Sequence, residues 1–277
     1  GFSFDVATFR SDGAYADGRH PQGVTFTTAQ EDAQRRDFTV NGLFYDPQTE
    51  TVIDHVHGLD DLAQRVIRAI GCPEARFCED GLRILRAIRF ATVLGFSIDP
   101  ATRRAFEAQA ERIRAVSEER IASEFLRMLM ESERPSEALE LLHTCGVLQI
   151  IMPELEALRG TRQPPKYHPE GDVWVHTALM LDELAYQRRE GGLLADVLTG
   201  VDDWTDLFVG VLLHDIGKPQ AYCETLEPEG GLRIRFPNHA PIGAKIAEAL
   251  LRRIKQPLAR IERVAGMVSQ PMTFFDV

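Results

Sequence analysis

Lysine is nearly missing from this chain: only Lys166, Lys218, Lys245 and Lys255 stand among 31 basic side chains, and the other 27 are arginine. Cysteine is sparse too. Cys72, Cys78, Cys145 and Cys223 are scattered without a CxxC pair, which excludes a disulfide scaffold or zinc knuckle and fits a reducing cytosol. The longest apolar run, Phe208 to Leu213, is far too short for a membrane span. The opening residues do not read as a signal peptide, and none is expected; there is no internal repeat or low-complexity tract.

What remains is an ordinary globular composition. The 277 residues are 44% apolar and 26% charged, enough for a real core and roughly two domains of about 150 residues. A net charge of −11 and a pI near 5.3 exclude a chain coated in non-specific nucleic-acid contacts. Arginine is the bidentate reader of phosphates and base edges; a GC-rich genome gives the same bias, and composition leaves both readings open. The chain opens with Gly1, and Phe2 to Val6 reads as a strand already inside a sheet. The expectation is a fragment.

Residues 1 to about 70 mix short strand-like runs with turns. Phe4, Val6 and Thr8 alternate with polar or small residues, Val24 to Phe26 is a second run, and Leu43 to Tyr45 precedes an Asp46-Pro47 turn and Val52 to Asp54. The glycines and aspartates of Ser11 to Pro21 predict a mobile loop. From about residue 79 the periodicity is helical: Leu82, Leu85 and Ile88 share a face, and Ala101 to Ile113, Ile121 to Met130, Val173 to Leu184, Trp204 to His214 and Gly243 to Ile254 predict further helices. Thr161 to Gly171, with three prolines, reads as a boundary. The expected architecture is α+β: a small mixed piece followed by a long all-helical part.

Two arginine segments carry chemistry. Arg83, Arg86 and Arg89 are spaced by three and form a stripe behind Glu79 and Asp80, acids suited to a helix N-terminus. A solvated arginine face is the plain alternative. The other use is recognition: an Asp–Arg pair at i, i+3 offers an acceptor beside a planar donor fork, which matches the edge of cytosine or adenine and rejects guanine and uracil. In the second segment, Arg35-Arg36-Asp37 suits phosphate or ribose contacts, with Asp37 fixing a guanidinium or a turn.

Together the segments resemble a family. Arg35-Arg36-Asp37-Phe38-Thr39-Val40-Asn41 is similar to the RRDFT-N motif of class II tRNA nucleotidyltransferases and bacterial poly(A) polymerases, and Glu79-Asp80-Gly81-Leu82-Arg83 with Arg86 and Arg89 to their nucleotide-selecting helix. Asp5 to Gly13, Ile53-Asp54 and Gly58 to Leu62 follow in the family order. The resemblance implies a truncated DNA polymerase β-type head over 1–70, a helical neck and RNA-binding body over 71–160, and an all-α HD-type domain over 161–277. It implies template-independent addition of CMP and AMP from CTP and ATP to the 3′ end of tRNA in the cytoplasm, with poly(A) synthesis as the alternative. Asp80 and Arg83 would read the base, while Arg35, Arg36, Asp37, Asn41, Arg86 and Arg89 complete the nucleotide pocket. The Ser11 to Pro21 loop would reshape the site between C and A addition. Gly81 replaces the family's usual proline and is expected to soften the helix start. The family's paired Asp-x-Asp, which holds Mg²⁺, matches no residue here. Asp5 is left as an accessory carboxylate, and the chain by itself is expected to be inactive in polymerisation.

A second constellation lies downstream. Val211-Leu212-Leu213-His214-Asp215-Ile216-Gly217-Lys218 resembles the HD phosphohydrolase motif, with His176 as upstream histidine and His239 as a further donor. Such His and Asp side chains suit a divalent transition metal. Gln270 stands where active members place an acid or histidine, so a relict scaffold is weighed equally with a hydrolase or phosphodiesterase. A non-catalytic RNA- or nucleotide-binding fragment is a third reading. His20, His55, His57, His143 and His168 read as structural or surface residues, Trp174 and Trp204 as core, and the Arg188-Arg189 and Arg252-Arg253-Ile254-Lys255 clusters as solvated faces rather than RNA contacts.

Overall fold

The computed structural model describes residues 7–12, 24–192, 194, 197–198, 200–226 and 232–270. The chain divides into two compact units, Gly1–Val116 and Ser117–Val277. Asp5 and most of the Ser11 to Pro21 loop lie outside the described residues.

The first unit is built from short pieces. Strands β1 (Arg10–Asp12) and β2 (Val24–Phe26) pair antiparallel, followed by α1 (Ala29–Gln34). A 3₁₀ turn at Thr39–Asn41 leads to β3 (Leu43–Asp46) and β4 (Thr51–Asp54), the hairpin read from the Asp46-Pro47 turn. Asp54 then accepts the N–H groups of Val56, Gly58 and Leu59 at 2.9–3.1 Å and starts α2 (Gly58–Gln64). Its two carboxylate oxygens thereby satisfy donors that have no intrahelical partner. After β5 (Val66–Ile67) come α3 (Pro73–Glu79) and α4 (Leu82–Leu94). β6 (Ser97–Ile98) runs parallel to β5, and α5 (Pro100–Ala108) is N-capped by Asp99.

Leu82, Leu85 and Ile88 are buried as the i, i+3 spacing predicts. They join Phe38, Ile67, Phe77 and Phe106, with Phe77 and Phe106 edge to face at 5.9 Å. The predicted helix from Ala101 stops at Ala108, and Ala110–Ala115 continues as 3₁₀. The arginine stripe is not a solvated face: Arg83 and Arg89 are only 9% and 3% exposed.

The second unit is mostly helical: α6 (Glu118–Glu131), α7 (Pro135–Thr144), α8 (Val147–Ile151), α9 (Pro153–Glu156), α10 (Val173–Glu190), α11 (Val201–Leu213) and α12 (Lys218–Ala221), then α13 (His239–Arg253) and α14 (Leu258–Ser269). Phe125, Leu142, Leu155, Leu181, Phe208 and Val264 fill its core, and Trp174 and Trp204 are buried as expected. The all-helical expectation fails in one place. β7 (Cys223–Leu226) and β8 (Leu232–Arg235) pair antiparallel over four residues. Leu232-Arg233-Ile234-Arg235 alternates apolar and polar, the period of a strand. Among the described residues no helix is long and apolar enough to cross a membrane.

Candidate functional site

In the first unit a buried acid organises the arginines. Asp32 on α1 accepts from Arg35 Nε and Nη2 at 2.9 and 2.6 Å, from Arg36 Nε at 3.1 Å and from the Arg10 backbone N–H at 3.2 Å. Burial pushes its pKa up, but the Arg35 and Arg10 hydrogen bonds outweigh this and hold it below the usual carboxylate value. Sequence reasoning missed Asp32, although its i, i+3 and i, i+4 spacing to Arg35 and Arg36 was readable.

Asp37 is the second acid. Its Oδ2 receives Arg86 Nε at 2.7 Å and Nη2 at 2.6 Å, while Oδ1 receives the Phe38 N–H at 2.9 Å and Asn41 Nδ2 at 3.0 Å. Arg36 donates to the Asn41 carbonyl at 2.8 Å and lies over the Phe44 ring. Arg83 donates Nη1 to Glu79 at 2.5 Å and to the Arg76 carbonyl at 3.0 Å, and Nη2 to the Arg35 carbonyl at 3.2 Å. Segments nearly fifty residues apart therefore share one hydrogen-bonded network. Arg89 is buried with its guanidinium 4.2 Å from the Phe90 ring centroid.

Asp80 turns the chain from α3 into α4 and accepts the Leu82 N–H on Oδ1 at 3.0 Å. Gly81 has a packing reason different from the softening expected of it. A Cβ there would sit 2.6 Å from the Arg112 carbonyl oxygen, so alanine and proline are both too large. A cleft of about 620 Å³ lies in the same unit, lined by Gln34, Thr39, His55, His57, Arg68 and Arg76 among others. None of the eight predicted nucleotide residues lines it, but Arg76 supplies the carbonyl that Arg83 holds.

The second unit gathers His176, His214, Asp215 and His239. Asp215 is 3% exposed, with His214 Nε2 3.1 Å from Oδ2 and His239 Nε2 3.9 Å from Oδ1. Lys218 Nζ stands 2.6 Å from Oδ2 and donates to Gln163 Oε1 at 2.6 Å. Burial alone would raise the Asp215 pKa; the hydrogen bond and charge of His214 and the Lys218 ammonium hold it well below the usual carboxylate range. Two residues unread as functional join the cluster: His168 and Glu170 face His176 from the proline-rich segment. Glu170 is held down to about 2 by its own backbone N–H, by His168 and by His176. Gln270 stands exposed at the end of α14. The outlying basic clusters are tied down: Arg188 donates to the Met130 carbonyl, Arg252 pairs with Glu248, and Arg253 pairs with Glu154.

Comparison with known proteins finds relatives for much of the chain. Residues 2–68 match the family described as Poly A polymerase head domain, and residues 95–158 match "Probable RNA and SrmB- binding site of polymerase A". A CCA-adding enzyme of Levilactobacillus brevis is 44% identical over 150 residues, 54% of this chain and 37% of the relative. A multifunctional CCA protein of Stenotrophomonas maltophilia is 36% identical over 235 residues, 83% of this chain and 52% of the relative. A solved CCA-adding enzyme in an apo form superposes with a TM-score of 0.60 at 20% identity, over 98% of this chain and 55% of the other. The chain thus spans from about a third to about half the length of the relatives it matches. Fold and matches define a nucleotidyltransferase head followed by a mostly helical remainder. The chain is similar over most of its length to CCA-adding enzymes, with a poly(A) polymerase head region and a probable polymerase RNA-binding region.

Proposed function

We propose that this chain carries the nucleotide-selecting and RNA-holding parts of a cytoplasmic, template-independent tRNA nucleotidyltransferase that adds CMP and AMP from CTP and ATP, completing the 3′ CCA end. One observation carries the proposal: Arg35, Asp37, Arg83 and Arg86 meet in a single network, anchored on the start of α4. Within it Arg83 is immobilised by three partners. A guanidinium has five N–H donors, so two are left for the acceptors on a base edge, beside Asp80 at the helix start. Asp37 and Asn41 fix Arg86 and Arg36, so the network is set before a ligand arrives. The domain reading goes with it: head over 1–70, neck and body over 71–160, and an HD-type domain over 161–277.

Among the described residues no group of three candidate ligands forms in the first unit, and no transfer step is assigned to it. The experiment is calorimetric titration of the chain with each of the four ribonucleoside triphosphates. CTP and ATP should bind measurably tighter than GTP and UTP; equal affinity for all four would overturn the reading.

The second unit supports a further activity on one specific observation. His214 and His239 direct Nε2 at a buried, ionised Asp215, with His176 beside them. Imidazole nitrogens with a carboxylate fit a divalent transition cation, which when bound would act as a Lewis acid on a phosphoester. Lys218 would steady an anionic substrate group nearby. Nickel or manganese titration tests this; absence of binding favours the scaffold reading.

A further inference from the structure

His214 and His239 each donate Nδ1–H to a carbonyl of their own segment, Val211 at 2.7 Å and Phe236 at 2.9 Å. A carbonyl oxygen can only accept, so Nδ1 carries a proton in both rings and Nε2 is the nitrogen left to face Asp215 and, once it gives up any proton, to bind a cation. Both Nε2 atoms face Asp215. His176 is the third ring of the group, and among the described residues no carbonyl holds it. Its Nδ1 instead meets Glu170 Oε1 at 2.7 Å.

We infer that Glu170 is the positioning residue of this site: it fixes the His176 tautomer and turns the Nε2 lone pair toward His214 and Asp215. It is the side-chain counterpart of the two main-chain carbonyls, and it rests on the cation-site reading above. The same Oε1 accepts from His168 Nδ1 at 3.0 Å, and the His168 and His176 rings meet edge to face at 4.8 Å. The carboxylate is thereby braced by two donors and cannot swing without breaking both. His168, Glu170 and His176 also lie close enough to hold a cation of their own. That use needs the Nδ1 lone pair of His176. A neutral imidazole has one lone pair, so the ring cannot serve both groups at once. Because His214 and His239 already aim at Asp215, His176 completes that group, and Glu170 acts through it. A carboxylate in this position commonly governs ligand orientation, and its loss costs roughly 10–100-fold in metal affinity.

The test uses the full 277-residue chain with Ni²⁺ alone as probe. Calorimetry gives affinity and stoichiometry, and long-range ¹⁵N–¹H spectra of the histidine rings give tautomers without metal. Glu170→Ala should weaken Ni²⁺ binding roughly 10–100-fold and abolish the fixed Nδ1–H form of His176. Glu170→Gln, whose amide oxygen still accepts, should recover most of both, which loss of folding would not. Unchanged affinity and tautomer in Glu170→Ala would overturn the inference and leave the cation reading standing. Two ions per wild-type chain, one lost with Glu170, would overturn it in favour of a separate site. Failure of the wild-type chain to bind Ni²⁺ at all would bring down the cation reading, and this role with it.

Discussion

The two clusters use similar residues to opposite ends. In the first unit each acid meets its basic partners directly: Asp32 binds Arg35 and Arg36, Asp37 binds Arg86, and Glu79 binds Arg83. Charge is neutralised locally, and what is presented is a rigid set of donors. In the second unit one buried acid faces three imidazoles, whose proton positions are set from outside the cluster. Imidazole nitrogens and a carboxylate converge there instead of guanidinium donors. A locally neutralised ionic network with spare donors suits recognition of a base or phosphate; converging nitrogen and oxygen ligands suit a cation. Which side of the imidazole or guanidinium is occupied by its own fold decides the chemistry left over.

Breaking the first network should have the largest effect. Asp37→Ala strands the Arg86 guanidinium, the Asn41 amide and the Phe38 N–H, and should cost about 3 kcal/mol in urea unfolding. Asp37→Asn should lose less. Next comes cation linkage in the second cluster. Ni²⁺ at about 100 times its Kd should stabilise the chain by about 2.7 kcal/mol, reversed by chelation and absent in Asp215→Asn. A cation that leaves the melting transition unmoved would erase the contrast between the clusters. Gly81→Ala should cost about 1–3 kcal/mol by forcing the α4 start away from the Arg112 backbone, readable as a lower unfolding midpoint with weakened CTP binding.

Acid titration gives the smallest and most specific effect. Asp32 and Asp54 both have folded pKa values below the ordinary 3.8, despite burial that opposes this. Their ionised forms are therefore held more tightly in the folded chain than in the unfolded one. The stabilisation is complete above the unfolded value and is lost as pH falls through the lower folded values. Unfolding monitored below about pH 4 should show this loss, diminished in Asp32→Asn; a variant with the same acid profile as wild type would contradict it.

Much of this was legible in the residues. The hairpin around Asp46-Pro47, the buried face of Leu82, Leu85 and Ile88, and the core tryptophans follow from period and turn chemistry. So do the two arginine segments as candidates. What was not legible depends on contacts across the chain. Nothing local shows that Arg83 would bond the Arg35 carbonyl, or that the Gly81 backbone would meet Arg112. Glu170 was hidden because three prolines made its segment read as a boundary, whereas the fold packs Gln163 inside and turns His168 and Glu170 onto His176. The β7–β8 hairpin is hard to read in the sequence because helical periodicity dominates both sides of it.

Nucleotide selection by the network around Arg83 is open to a direct test. The most direct measurement is the ratio of CTP to UTP affinity in the wild-type chain and in Arg83→Ala. A base-edge donor fork contributes about 1–3 kcal/mol of discrimination, so the wild-type ratio should be roughly 5- to 150-fold and should fall toward one in the variant. A folded Arg83→Ala chain that keeps the wild-type ratio would contradict the account.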